Sequence, residues 1–524
     1  MKNGLRQSIA WLHTWSGLLV GWVLFAVFVT GTASYYRTDI TAWMQPELRQ
    51  AARAEPVPDL ARAAEIGLTH LQAHAAGARS WSIGLPQPDR PIIDLFWRTK
   101  PGTPPNIVQL DGQTGEPATF RKTRGGDFLY RFHFELHMPP LWGRWIVGIC
   151  AMVMLVALIS GIITHRRIFA DFFTLRRDKS AQRGWLDAHN VTGVLALPYH
   201  LMITYTGIVT LAMIYMPWGV TAAYNGDATR FYAETAQITA QRPPLGQPGT
   251  LAPIGPMVAR AVATIHEPLE RLSIVNPGDA RSTVIAIFEE PHGLAHQHPQ
   301  IAFAGTTGEI VEILQGGLKP AAKTFTTMVG LHEAHFAGPA LRVLFFLCGL
   351  MGCVMVASGL ILWSVARLPK PGEAPSLGLR VVQALNIGTV IGLPAAIAVY
   401  FLANRALPPG LEGRLDWEVR AFFGAWIVMS VVPLFRPHRA AWREMAVVTA
   451  ILFLAVALAD LVAAAAPSPS ALLRHDPGFL WFDAAMVALA GLFALVAHKV
   501  TRFKTQRPAK PATLDRDSAA PQAA

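Results

Sequence analysis

The sequence predicts an α-helical polytopic membrane protein of about eight transmembrane helices, with two small α+β domains inserted between helix pairs on one side. Three observations carry this reading. Of 524 residues, 52% are hydrophobic and 15% charged, and mean hydropathy is +0.33, too apolar for a soluble chain of this length. Eight runs reach or approach the ~20 apolar residues that a bilayer-spanning helix needs, and in hydrocarbon such runs must satisfy their backbone groups as helices. The third observation is a repeat: His13, Gly17 and Gly31 recur as His189, Gly193 and Gly207, and His137, Arg144 and Ser160-Gly161 recur as His335, Arg342 and Ser358-Gly359.

The runs fall at about 16–36, 143–164, 190–216, 340–365, 378–402, 419–435, 442–466 and 478–499. Residues 1–45 hold the first span, too long for a signal peptide and without a small-x-small cleavage site, so it reads as a retained anchor. Residues 46–130 form the first outer domain, 131–217 the second and third spans with their loop, and 218–325 the second outer domain. The fourth span lies in 326–370, four further spans in 371–500, and a disordered tail in 501–524. Lys and Arg cluster before the first span, in the even-to-odd loops and after the eighth. By the positive-inside rule both termini are cytoplasmic. The net charge of +11 is therefore topological, with attraction to anionic membrane lipids as a side effect, and no nucleic acid is implied. Cys150, Cys348 and Cys353 all fall in predicted spans, and none stands in C-x-x-C-H, so covalent haem attachment and a disulfide framework are both excluded.

Each outer domain repeats one order: a helix (Leu60–Leu71; Val258–His266), short alternating strands, and a glycine turn, Asp111-Gly-Gln-Thr-Gly-Glu116 against Ala304-Gly-Thr-Thr-Gly-Glu309.

Eight of the seventeen histidines lie in or beside the first four spans. A polar ring is costly in lipid unless bonded, and a non-covalent six-coordinate haem needs two imidazoles at similar depth on facing helices. A pseudo-twofold axis makes His13 face His189 at the cytoplasmic end and His137 face His335 at the outer end, each pair clamping one iron. Capping or interfacial anchoring competes for the first pair, and hydration for the second. His200 lies deep, about 16 Å along a straight helix from His189, and bridges a gap between the ends on the order of 40 Å. His133 and His332 are further haem candidates, with substrate contact or proton handling as competing roles. His165, whose repeat counterpart is Trp363, is either a symmetry-breaking ligand or a propionate partner. Arg144 and Arg342 suit haem propionates, or snorkel at the interface. The 166–177 segment reads as an amphipathic interfacial helix, with docking of the electron donor as the alternative. His292-x-x-x-His296-x-His298 is a weak metal motif.

Leu12-His13-Thr-Trp-Ser-Gly17, Phe132-His133-Phe-Glu-Leu-His137, Ser160-Gly161-Ile-Ile-Thr-His165, Asp187-Ala-His189-Asn, Leu197-Pro198-Tyr-His200 and Leu331-His332-Glu-Ala-His335-Phe stand in an order and spacing that resemble the PepSY-associated transmembrane helix family. The outer domains look like PepSY domains, and the resemblance covers about residues 1–370. It implies b-type haem in a four-helix bundle, here two haems, and the activity of a ferric-siderophore reductase. Electrons would then pass from a cytoplasmic-side donor to a ferric siderophore or other ferric chelate in the periplasm. No G-x-G-x-x-G opens a helix after a strand, so the donor is external. The alternatives are a non-catalytic regulator of a peptidase or envelope signal, and a transporter. The last four helices fall outside the resemblance.

Overall fold

The structure, a computed structural model, describes residues 4–54, 58–99, 106–118, 120–164, 181–227, 230–231, 243–370, 372–465 and 476–502. His165, the 166–177 segment and residues 503–524 of the tail lie outside them.

In chain order, α1 (Leu5–Ser34), α2 (Arg37–Met44), α3 (Pro46–Ala54) and α4 (Leu60–His74) lead to strands β1 (Ser80–Gly84), β2 (Ile92–Trp97) and β3 (Asn106–Asp111). Next come α5 (Gly125–Glu135), α6 (Pro140–Thr164), α7 (Ala181–Leu195) and α8 (Leu197–Thr210). The second half-repeat continues through α9 (Ile254–Thr264), β4 (Leu269–Val275), β5 (Thr283–Phe288), β6 (Gln300–Ala304), β7 (Ile310–Leu314), α10 (Pro320–Glu333) and α11 (Pro339–Val365). The C-terminal helices are α12 (Leu377–Val390), α13 (Gly392–Ala406), α14 (Arg414–Val431), α15 (His438–Ala465) and α16 (Pro477–Arg502).

Among the described residues, seven helical stretches are long and apolar enough to cross a membrane, α12 with α13 counting as one, and α7 with α8 makes an eighth as one bent span. The chain is a polytopic helical membrane protein. Its third span, expected as one helix over 190–216, is two helices meeting at 70°. Pro198 in the first turn of α8 is the cause: it has no N–H to continue the ladder, and its ring clashes with the carbonyl four residues back. His189 and His200 therefore lie on different helices, and the straight-helix separation does not apply.

The two outer modules, expected as separate domains, share one seven-stranded antiparallel sheet of order β3-β2-β1-β4-β5-β6-β7. The junction is β1 on β4, with Trp81 opposite Ile274 and Ile83 opposite Leu272. That pairing covers two strands that would otherwise be open edges. Strand alternation sends Ile83, Leu95, Ile274 and Phe303 to one core with Leu71 of α4 and Met257 of α9. Asp59 caps α4 by accepting from the Arg62 amide at 2.8 Å, and Glu65 accepts from the Gly255 amide at 2.7 Å, tying α4 to the start of α9.

Beneath the sheet, α1, α6, α7/α8 and α11 pack as a bundle. The short helices α5 and α10 sit at its sheet end, each closed by a left-handed residue, Leu136 (φ 53°) and Ala334 (φ 58°), before the next span begins. The C-terminal helices join the bundle through Asn386, which accepts from Trp22 Nε1 at 2.9 Å and donates to the Leu360 carbonyl at 3.0 Å.

Candidate functional site

At the end of the bundle far from the sheet, His13 of α1 and His189 of α7 face each other with ring centroids 6.3 Å apart. His13 Nδ1 bonds the Ala157 carbonyl at 3.0 Å and Ser160 Oγ at 3.1 Å. His189 Nδ1 bonds the Met355 carbonyl at 2.8 Å. A carbonyl only accepts, so Nδ1 carries the proton in both rings and Nε2 keeps the lone pair, the tautomer in which imidazole binds a metal. The two acceptors are themselves repeat equivalents, since Ala157 and Met355 are separated by the same 198 residues as Ser160 and Ser358. The two rings line a cavity of about 660 Å³, together with Gly17, Gly21, Gly193 and Gly359. That volume is in the range of small-molecule sites.

At the sheet end the fold brings together His133 of α5 and His332 of α10, with centroids 5.9 Å apart. Their Nδ1 atoms follow the same rule: His133 bonds the Val27 carbonyl at 2.8 Å and His332 that of Ile203 at 3.1 Å. Val27 and Ile203 are 176 residues apart, as are His13 and His189. The four Ser/Thr-Gly pairs have a common purpose here. A Cβ on Gly31 would lie 2.6 Å from His133 Nδ1, one on Gly207 2.8 Å from His332 Cε1, one on Gly359 3.2 Å from His189, and one on Gly161 3.7 Å from His13. Each of the four imidazoles thus rests on its own glycine. Gly31→Ala is expected to push the His133 ring off its carbonyl and to cost about 1–3 kcal/mol of overpacking, read as a lowered unfolding midpoint. Gly161→Ala, where the contact is ordinary, is expected to be near neutral.

His200 lies between the pairs. It is fully buried, neither ring nitrogen makes a hydrogen bond, and the ring meets Phe28 edge-on at 5.9 Å. It stands three residues before Ile203, the acceptor of His332. Its neighbour Gly352 stands three residues before Met355, the acceptor of His189. It thus stands about one helical turn from a main-chain carbonyl that fixes a ring of each pair. A buried imidazole with two unsatisfied nitrogens costs on the order of 1–3 kcal/mol per group, and its repeat counterpart is the apolar Leu24.

The expected outer pair is not formed. His137 follows the left-handed cap of α5 and is itself left-handed (φ 54°), which turns its ring away to pack on Phe128 and Phe423 at 5.8 and 5.5 Å. His335 follows the cap of α10 and bonds Glu290 at 2.9 Å and Glu333 at 3.2 Å. Burial opposes the charge of Glu290, but hydrogen bonds from His296 and His335 outweigh it and bring the carboxyl down to about 2. Hydrogen bonds to Glu290 and Glu333 raise His335 to about 9 against the effect of burial. The arginines nominated by the repeat hold carboxylates of the chain: Arg144 meets Glu135 at 2.7 Å and Arg342 meets Asp39 at 3.8 Å. The cations that line the cavity are Arg183 and Arg367, the latter stacked on Trp363 at 3.9 Å. The gap between pairs also shrinks. His133 docks at the level of Val27, 14 residues along α1 from His13, or roughly 21 Å.

The donor set fits haem. Two imidazoles with free Nε2 lone pairs and ring centroids 6.3 and 5.9 Å apart leave space between them for one metal ion, and each pair would hold haem iron there. At the far end the cavity of about 660 Å³ beside His13 and His189 leaves room for a macrocycle.

Residues 10–366 match the family model described as the PepSY-associated TM region. The chain is also similar to the uncharacterized protein PA4219 of Pseudomonas aeruginosa, with 27% identity over 335 residues, covering 59% of this chain and 80% of the relative. With the matched region spanning the bundle, the sheet and all four facing histidines, the chain belongs to the PepSY-associated TM region family.

Proposed function

We propose that the protein is an inner-membrane haem b oxidoreductase that takes electrons from a cytoplasmic-side donor and reduces a ferric siderophore or related ferric chelate on the side of the sheet. The observation that carries this reading is the recurrence, at both ends of one bundle, of two imidazoles about 6 Å apart whose Nδ1 protons are fixed by main-chain carbonyls.

His13 and His189 would hold one haem, and His133 and His332 a second. Bound there, haem supplies one-electron chemistry. The carbonyls of Ala157, Met355, Val27 and Ile203 fix each ring and tautomer, so little reorganisation is needed on ligation. Arg367, and Arg183 beside its partner Asp187 at 3.3 Å, line the far-end cavity and would meet carboxylates there. The apolar bundle excludes water, and His200 supplies a polarisable ring midway. At the acceptor, one electron converts Fe(III) to Fe(II), which hard oxygen ligands hold less tightly, so the metal is released.

The test is the absorption spectrum of protein purified under haem-replete conditions. The expected result is a reduced b-type α-band with two haems per chain, falling to one in His13→Ala and His189→Ala. A folded, colourless protein overturns the reading.

A further inference from the structure

The loop between β5 and β6 carries the histidine motif that haem does not use, and the fold gives it new neighbours. The loop is clamped onto α10: the His296 amide donates to the Thr326 carbonyl at 3.0 Å, and a Cβ on Gly330 would meet the Leu294 carbonyl oxygen at 2.0 Å. This contact brings Glu290, His296 and His298 against Glu333 and His335 at the end of α10. Two overlapping triples result, Glu290/His296/His298 and His296/Glu333/His335, and within each the ligand atoms all lie within 4.8 Å of one another. Glu290 Oε2 takes His296 Nδ1 at 3.0 Å and His335 Nδ1 at 2.9 Å. His298 donates its Nδ1 proton to the Phe288 carbonyl at 2.9 Å, which leaves its Nε2 lone pair for a metal. The Glu290 side chain is 7% exposed and that of His335 47%, so the cluster has a buried floor and an open mouth.

We propose that His296, Glu333 and His335, with Glu290 and His298 beside them, form a binding site for a divalent transition-metal ion. Imidazole with carboxylate is the donor set of Zn(II), Mn(II) and Fe(II), and it does not resemble the all-oxygen cages of calcium. The ligands already touch through protons shared between imidazole and carboxylate. An entering ion replaces those protons and keeps the frame, releasing them to solvent. Two chain segments supply the ligands, so the site is built by the docking of the loop on α10.

The position gives the site a use. Glu333 follows His332 of the outer pair directly in the chain. On the reductase reading, on which this step alone depends, the ion received is the ferrous product. The cluster would then capture Fe(II) beside the outer pair as its hard-oxygen chelator lets go.

The experiment is Mn(II) binding to the full-length, tag-free protein in detergent, followed by loss of the free-ion paramagnetic resonance signal, with Zn(II) as competitor and no reductant present. The expected result is one Mn(II) per chain, displaced by Zn(II). Affinity should fall by at least ~10- to 100-fold in His296→Ala, His335→Ala and Glu333→Gln, with the haem spectrum unchanged. The two alanine variants each take a partner from the buried Glu290 and lower the unfolding midpoint, whereas Glu333→Gln leaves it near wild type. Glu333→Gln keeps the side-chain shape, so it separates loss of a ligand from loss of the fold. A free-ion signal equal to that of buffer overturns the proposal and marks the cluster as an ion-pair network, and so does binding that survives all three variants. A protein that binds Mn(II) but carries no haem keeps the site and removes only the ferrous assignment.

Discussion

His133→Ala is expected to lose one haem and to slow ferric-chelate reduction by more than ~100-fold, while His137→Ala keeps both haems and near-normal rates. Disturbing a partner that merely orients a ligand costs ~10- to 100-fold, and removing the ligand costs more. The two residues stand four apart in sequence, yet the cap at Leu136 separates their environments. His133 lies 5.9 Å from His332 with Nδ1 held by Val27, whereas His137 packs on Phe128 and Phe423. The measurements are a pyridine haemochrome assay and stopped-flow reduction of a ferric chelate by vesicles loaded with reductant. Because the break falls at the sheet end, the far-end haem of His133→Ala should still be reduced from the opposite side. Haem loss confined to His137→Ala, or equal in both variants, overturns the assignment.

The sequence displays the bundle plainly, because four apolar runs, the His/Gly repeat and the basic loops all point one way. The far-end pair was legible for the same reason: His13 and His189 keep their 176-residue offset from His to Gly. The outer pair was not. The first copy reads His133-x-x-x-His137 and the second His332-x-x-His335, so alignment on the second histidine of each gives a constant 198 residues and misses the pair that meets, which is 199 apart. Main-chain acceptors such as Val27 and Ile203 leave no side-chain signature that would have decided between them. The Pro198 bend had its signal in the sequence, where a proline stands inside an apolar run. The joining of the outer modules had none, since alternation identifies a strand but not its partner. The metal cluster was half visible: the motif 292–298 was present, but Glu333 and His335 reach it only through tertiary docking.

The C-terminal helices gave the sequence reading no role, and there the structure places its most deeply buried charges. Arg414 and Glu418 are 2% and 0% exposed and pair at 2.5 Å within one turn of α14. Glu418 also accepts from Asn404 Nδ2 of α13 at 2.9 Å and from Thr123 Oγ1 at 2.6 Å, and Arg414 donates to the Lys122 carbonyl at 2.6 Å. Thr123 lies just ahead of α5, the helix that presents His133. Arg405 of α13 pairs with Asp460 of α15 and donates to the Trp43 carbonyl at 2.7 Å, extending the same tie to α2. One carboxylate therefore joins α13, α14 and the segment that positions the outer pair. Glu418→Ala strands the Arg414 cation and two hydrogen-bond donors in a buried site, and removing one partner of a buried pair costs about 3–5 kcal/mol. The expected result is an unfolding midpoint in detergent well below wild type, with the outer haem lost before the far-end one. Glu418→Gln can keep its one amide oxygen for Asn404 and Arg414 and donate its NH2 to the Thr123 hydroxyl, so it should retain more of the stability, with the unbalanced cation as its main residual defect. A Glu418→Ala protein that melts with wild type would mean that water or lipid headgroups reach Arg414, and that the C-terminal helices are held to the bundle without the Glu418 tie.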